Sequence, residues 1–165
     1  MANNIQNRIR QEMEIMARLY EVTEGSEVIS VNLRQLGEEL GLSSSEIDEL
    51  NEFLSKSNFI KRDAETGAVC LTPQGAIETK YVAVIKLMGD LRRQLPKLGL
   101  DSHAYHEVAR DIQGIEGETK GYGADFAVVQ MHLSSTRTVL EELADSPTAV
   151  SLIQQIDALQ KRIGA

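Results

Sequence analysis

The sequence predicts a mainly α-helical chain with one small β-hairpin in its first half. Apolar residues recur at steps of three and four over most of the 165 residues, the spacing of a helix face. Capping and turn residues punctuate those stripes. The core must also be aliphatic, because four Tyr, three Phe and no Trp leave Leu, Ile, Val, Met and Ala to fill it, a palette suited to packed helices. At 42% apolar and 25% charged, the chain has enough apolar surface for a true core, and collagen, disulfide scaffolds and acidic disordered tails are excluded.

Taking the elements in order, Ile5, Ile9, Met13, Met16 and Tyr20 form one stripe on a first helix that runs from Asn3 to Val22. Gly25 ends it. Val28, Ile29 and Val31 are β-branched and predict a short strand, after which Asn32 caps a second helix through Leu33, Leu36 and Leu40, closed by Gly41. Ser43 and Glu46 form a capping box for a third helix, whose buried face is Ile47, Leu50, Phe53 and Leu54, ending near Ser57. Two short helices joined by Gly-Leu-Ser make a helix-turn-helix. The runs FIKR and AVCLT flank a turn ending at Gly67 and predict a hairpin. Thr72 then caps, and Pro73 begins, a long helix.

The order helix, strand, helix, helix, hairpin, helix resembles the winged helix-turn-helix proteins, and LTPQGAIE (Leu71 to Glu78) resembles the segment in which their wing runs into the next helix. The resemblance covers residues 4 to 80. It implies a winged helix-turn-helix domain over 1–80. The long helix from about residue 73 links this domain to a helical dimerisation or partner-binding region over 81–165.

In that long helix Ile77, Tyr81, Val84, Met88, Leu91 and Leu95 follow a nearly three-heptad spacing up to Pro96. The spacing marks a coiled-coil seam, buried either within the chain or against a second copy. Helices outside the winged domain resemble those that make the dimer in bacterial regulators of the MarR and PadR kinds, so the seam is expected to hold a homodimer. Two further stripes follow: Phe126, Val129, Leu133, Thr136, Leu140 and Leu143, then Ala149, Leu152, Ile156, Leu159 and Ile163 after a Ser146-Pro147 start. Between the seam and these stripes, Asp101 to Gln113 predicts a shorter helix. Gly114, Gly117, Gly121 and Gly123 predict a flexible loop or hinge.

Charge constrains the function. The chain carries 17 basic and 25 acidic residues for a formal charge of -8, both halves are acidic, and no Lys/Arg block stands out. Contact with double-stranded DNA would rest on a few placed residues. On the third helix the positions left for solvent are Ser44, Ser45, Asp48, Glu49, Asn51, Glu52, Ser55 and Lys56, whose carboxylates oppose phosphate. The candidate DNA-binding set is Ser43, Ser44 and Ser45 at the helix start, Asn51, and the cations Arg34, Lys56, Lys61 and Arg62.

The expected function is therefore a homodimeric, DNA-binding transcriptional regulator. The alternative is a non-enzymatic protein-interaction module that sets the third helix's carboxylates against a basic partner. No catalytic motif, cofactor or metal is expected. Cys70 lies in a hairpin strand with no positioned base, and His103, His106, Glu107 and Asp111 lack a tight metal-binding motif. The longest apolar run, Tyr81 to Ile85, is too short for a membrane span. The start lacks a secretory pattern and a lone Cys cannot form an internal disulfide, so a reducing cytoplasm is the expected compartment.

Overall fold

A computed structural model describes residues 2–120 and 124–164. Among them the chain forms seven α-helices, one 3-10 turn and a two-stranded antiparallel sheet, in the order α1 (Ala2–Thr23), α2 (Leu33–Glu39), α3 (Ser44–Lys56), β1 (Ile60–Arg62), β2 (Val69–Leu71), α4 (Pro73–Gln94), the 3-10 turn Leu95–Lys97, α5 (Ser102–Thr119), α6 (Phe126–Glu141) and α7 (Pro147–Ile163). The chain divides into two compact units, Met1–Val82 and Ala83–Ala165. The dividing point lies inside α4.

The first unit is built around Ile15, Met16 and Leu19 of α1, Leu33 and Leu36 of α2, Leu50 and Leu54 of α3, and Ile60, Val69 and Leu71 of the hairpin. The predicted α1 stripe is buried at Met16 and Tyr20, and the buried face also takes in residues outside that stripe. Ile15 and Leu19 are in and Ile9 is 51% exposed, because α2 and the hairpin, not helix periodicity, choose which flank is covered. The predicted strand Val28–Val31 also shrinks. Only Val31 pairs, exchanging both backbone bonds with Val69 at 2.8 and 2.9 Å.

Local chemistry sets the boundaries. Asn32 accepts the Gln35 N–H to start α2. Gly41, at φ +75, lets Leu42 N–H reach the Gly37 carbonyl at 3.0 Å and end it. The buried Gly37 also brings α2 close to α3, since a methyl there would meet Ile47, with Cδ1 only 2.7 Å away. Asn58, at φ 57, ends α3 as Phe59 N–H returns to Leu54 O at 2.9 Å. The hairpin register is Ile60–Leu71, Lys61–Cys70 and Arg62–Val69. Asp63 shapes the turn by accepting the N–H groups of Thr66 and Glu65.

The Leu-Thr-Pro-Gln-Gly run has a structural cause. Thr72 N–H donates to the Phe59 carbonyl at 3.0 Å, its hydroxyl donates to the Asn58 carbonyl, and the same hydroxyl accepts Gly75 N–H at 3.0 Å. Gly75 passes so close to Phe59 that a Cβ would land inside its backbone carbonyl.

In the second unit, α5 lies beside α6 and α6 beside α7. Val108, Ile112, Ile115, Val129, Leu133, Leu140, Ala149, Leu152, Ile156 and Leu159 fill the space between them. Val84, Met88, Leu91 and Leu95 join this core. Those four positions of the predicted intermolecular seam are thus buried inside one chain, because α4 and the later helices offer each other complementary apolar stripes. Of the other two, Tyr81 is half-buried and Ile77 is 50% exposed. The expected glycine hinge is likewise corrected. α5 continues through Gly114 and Gly117 to Thr119, since burying Ile115 and apposing Gly114 to His132 outweigh the roughly 1 kcal/mol helix cost of a glycine. Gly121 and Gly123 lie outside the described residues.

Gly75→Ala should destabilise the first unit by about 3 kcal/mol, because backbone must move to admit the methyl. Gly89→Ala, where nothing lies within 4 Å of the added Cβ, should be neutral or stabilising by about 0.5–1 kcal/mol. Urea denaturation of the two variants, followed by amide hydrogen exchange in each unit, separates these outcomes.

Candidate nucleic-acid interface on α3 and the hairpin

The α3 surface begins at its cap. Ser43 Oγ accepts Glu46 N–H at 3.4 Å, and Glu46 accepts both the Ser43 N–H at 2.8 Å and its hydroxyl at 2.7 Å. The capping box is complete. The Ser43 hydroxyl, the Ser43 N–H and the Gln11 amide, in that order of size, hold the Glu46 carboxyl below the ordinary range. Ser43, placed in the DNA-binding set, therefore spends its hydroxyl on the helix itself. Ser44 and Ser45 remain exposed at that end.

The other three α3 carboxylates are each met by a cation, from α2, from α1 and from α3 itself. Arg34 of α2 meets Asp48 at 3.1 Å and donates to the Ser44 hydroxyl at 3.2 Å. Arg8 of α1 meets Glu49 at 3.3 Å and lies 6.0 Å from the Phe53 ring centroid. Lys56 pairs with Glu52 at 2.5 Å one turn back, and this bond lowers the Glu52 carboxyl. The helix face is thus less negative than its composition implies, although exposed pairs of this kind contribute only about 0–1 kcal/mol each to stability.

Asn51 departs from expectation. Its side chain is half-buried and its Oδ1 is fully enclosed with no hydrogen-bond donor among the described residues, so it is not offered to a groove as predicted. The contacts Gln11–Glu46 and Arg8–Glu49 bring α1 across one flank of α3, which the α3 sequence could not reveal.

On the hairpin, Lys61 and Arg62 are exposed on β1, and no ion pair holds either of them among the described residues. The strand leads into Asp63, whose carboxyl is held low by the Thr66 N–H, the Thr66 hydroxyl and the Glu65 N–H. α3 and β1 are in contact. The structure accordingly brings Arg34, Ser44 and Ser45 together at the start of α3, Lys56 near its end, and Lys61 and Arg62 on the adjoining strand.

The histidines form a different arrangement. His103 is exposed, 3.9 Å from Glu107, and His106 Nδ1 lies 2.5 Å from the Ser102 carbonyl. Asp111, grouped in the sequence with His103, His106 and Glu107, is only 3% exposed. It lies 2.9 Å from His132 Nδ1 on α6 and accepts the Thr136 hydroxyl at 3.5 Å. This pairing was legible only as a helix-to-helix contact. Among the described residues no three His, Cys, Asp or Glu side chains converge to hold a metal.

No family model matches the chain, and neither curated proteins nor solved structures yield a match. No helix among the described residues is long and apolar enough to cross a membrane.

Ser43→Ala should cost about 1 kcal/mol near neutral pH, the usual worth of an N-cap hydroxyl. It should also raise the Glu46 titration toward its ordinary range. Because the folded carboxyl is held low, the wild-type advantage is complete above the ordinary carboxylate range and fades as pH falls through the folded value. Urea midpoints at neutral and acid pH, with NMR titration of Glu46, measure both effects.

Proposed function

We propose that the first unit is a winged helix-turn-helix head that binds duplex DNA and that the chain acts as a transcriptional regulator. The order of elements supports it: α1, the paired Val31, α2, a glycine turn, α3, then a hairpin leading directly into α4. The observation that carries the DNA reading is electrostatic. Of the four α3 carboxylates, Asp48, Glu49 and Glu52 each have an intramolecular cation and Glu46 is bonded to Ser43 and Gln11, whereas Lys61 and Arg62 on β1 have no ion pair among the described residues. Phosphates approaching the hairpin therefore meet two uncommitted charges, with Ser44 and Ser45 offering hydroxyls at the start of α3.

Lys61 and Arg62 contact the phosphate backbone in this reading, and Arg34 and Lys56 can exchange their carboxylates for phosphate. Such a site is modest in affinity and sensitive to salt, because few counterions are released. Paired half-sites would be read by two copies. With Val84, Met88, Leu91 and Leu95 buried in one chain, those copies must meet through other surfaces.

Retention of genomic duplex fragments by the full chain, titrated with salt and with its mass in solution measured alongside, tests the proposal. Lys61→Glu with Arg62→Glu should weaken binding at least about tenfold and lower the log–log salt slope by about one per residue. Absence of retention at low salt, or retention unchanged in the double variant, overturns it.

A further inference from the structure

Between the last turns of α4 and the first half of α7, the second unit leaves an open cleft of about 390 Å³. Each helix turns one face toward it. Asp90 and Gln94 are four apart on α4, and Thr148, Ser151 and Gln155 follow at steps of three and four on α7. The space exists because Thr148 and Ser151 are short where long side chains would close the gap between two helices. Leu152, only 2% exposed, supplies an apolar floor, and Pro147 borders it.

The polar groups of this cleft are uncommitted. The side chains of Gln94, Thr148, Ser151 and Gln155 make no hydrogen bond among the described residues. The same residue types elsewhere in the unit are engaged. Gln160 donates to the Gln130 carbonyl at 3.2 Å and to the Ser134 hydroxyl at 2.7 Å, and Gln130 donates back to the Gln160 carbonyl at 3.4 Å. Thr119 and Thr138 return their hydroxyls to carbonyls of their own helices. Two carboxamides and two hydroxyls, all able to donate and to accept, thus line one space without partners.

Charge narrows what fills it. Asp90 is the one ionisable group in the lining, and its carboxylate, 25% exposed, already accepts from Arg93 one turn along α4. With no cation in the lining, a phosphate or carboxylate gains no ion pair and meets Asp90 instead. An amine must compete with Arg93 for a single carboxylate. A neutral molecule with several hydroxyls avoids both costs, because carboxamides and hydroxyls bond adjacent hydroxyls in either direction and an apolar floor covers the C–H face of a ring.

We infer that this cleft binds a neutral, hydroxyl-rich ring compound of monosaccharide size. Gln94 and Gln155 hold it from the two helices, Thr148 and Ser151 bond its hydroxyls, Asp90 accepts one more, and Leu152 lies under its apolar face. An open cleft near the small end of ligand-site volumes corresponds to a dissociation constant on the order of 1 mM. The site uses none of the residues assigned to DNA, so the two readings stand or fall separately.

The probes are methyl α-glucopyranoside, methyl α-mannopyranoside and myo-inositol, each titrated into the isotopically labelled full chain and followed by NMR. Inorganic phosphate and putrescine represent the anionic and cationic alternatives. At least one of the three neutral probes should shift the side-chain amides of Gln94 and Gln155 and the backbone amides of residues 148–152. It should bind at least about tenfold more tightly than phosphate or putrescine. Ser151→Met, which fills the cleft from an exposed position, and the pair Gln94→Ala with Gln155→Ala should each weaken binding at least about fivefold. Gln154→Ala, exposed on the same helix but outside the lining, should leave it unchanged. Failure of all three neutral probes to bind, shifts located elsewhere, or tighter binding of phosphate or putrescine would overturn the assignment. So would binding that survives Ser151→Met or the double variant, or that falls equally in Gln154→Ala.

Discussion

The backbone carbonyl of Phe59 joins three elements at one point, and the face built by α3 and the hairpin depends on it. It accepts Thr72 N–H just before α4 and lies against Gly75 in the first turn of that helix. Its own residue closes α3 through Leu54. The contact leaves no room for a side chain, so position 75 must be glycine for β1, β2 and the start of α4 to keep their places. Thr72 reinforces the arrangement by donating to Asn58 and accepting from Gly75. Once this corner is set, Ile60 and Leu71 face the core and Lys61 and Arg62 are left in water.

Electrostatics in the first unit are decided pair by pair. A formal charge of -8 would place this chain among poor ligands for a polyanion, but what a partner meets is the charge left after internal pairing. Arg34, Arg8 and Lys56 are committed to α3. The hairpin cations and the carboxylates of the α1–α2 loop are not, among the described residues.

The second unit follows a different logic. Its helices bury aliphatic stripes against one another, and the polar pair Asp111 and His132 sits within that packing beside Thr136. A buried carboxylate is costly without partners, and here the imidazole and a hydroxyl provide them. Gly114 gives the imidazole edge its space, which explains a glycine inside α5 better than a need for flexibility.

Much of the local structure was legible from sequence, and much of the packing was not. The Asn32 and Ser43 caps, the Gly41 turn, the hairpin around Gly67 and the Thr72-Pro73 start of α4 act through atoms within about four residues of one another, so short-range chemistry determines them. The stripes of α6 and α7 were visible for the same reason. Tertiary structure alone decided that Val84, Met88, Leu91 and Leu95 turn inward, that Ile9 and Val28 remain in water and that Asn51 is half-buried. It also decided that α5 runs through its glycines and that Asp111 meets His132. A periodic pattern states that a face is apolar without naming what covers it. Burial and ion pairing are set by neighbours far away in the chain, and only the folded arrangement supplies them.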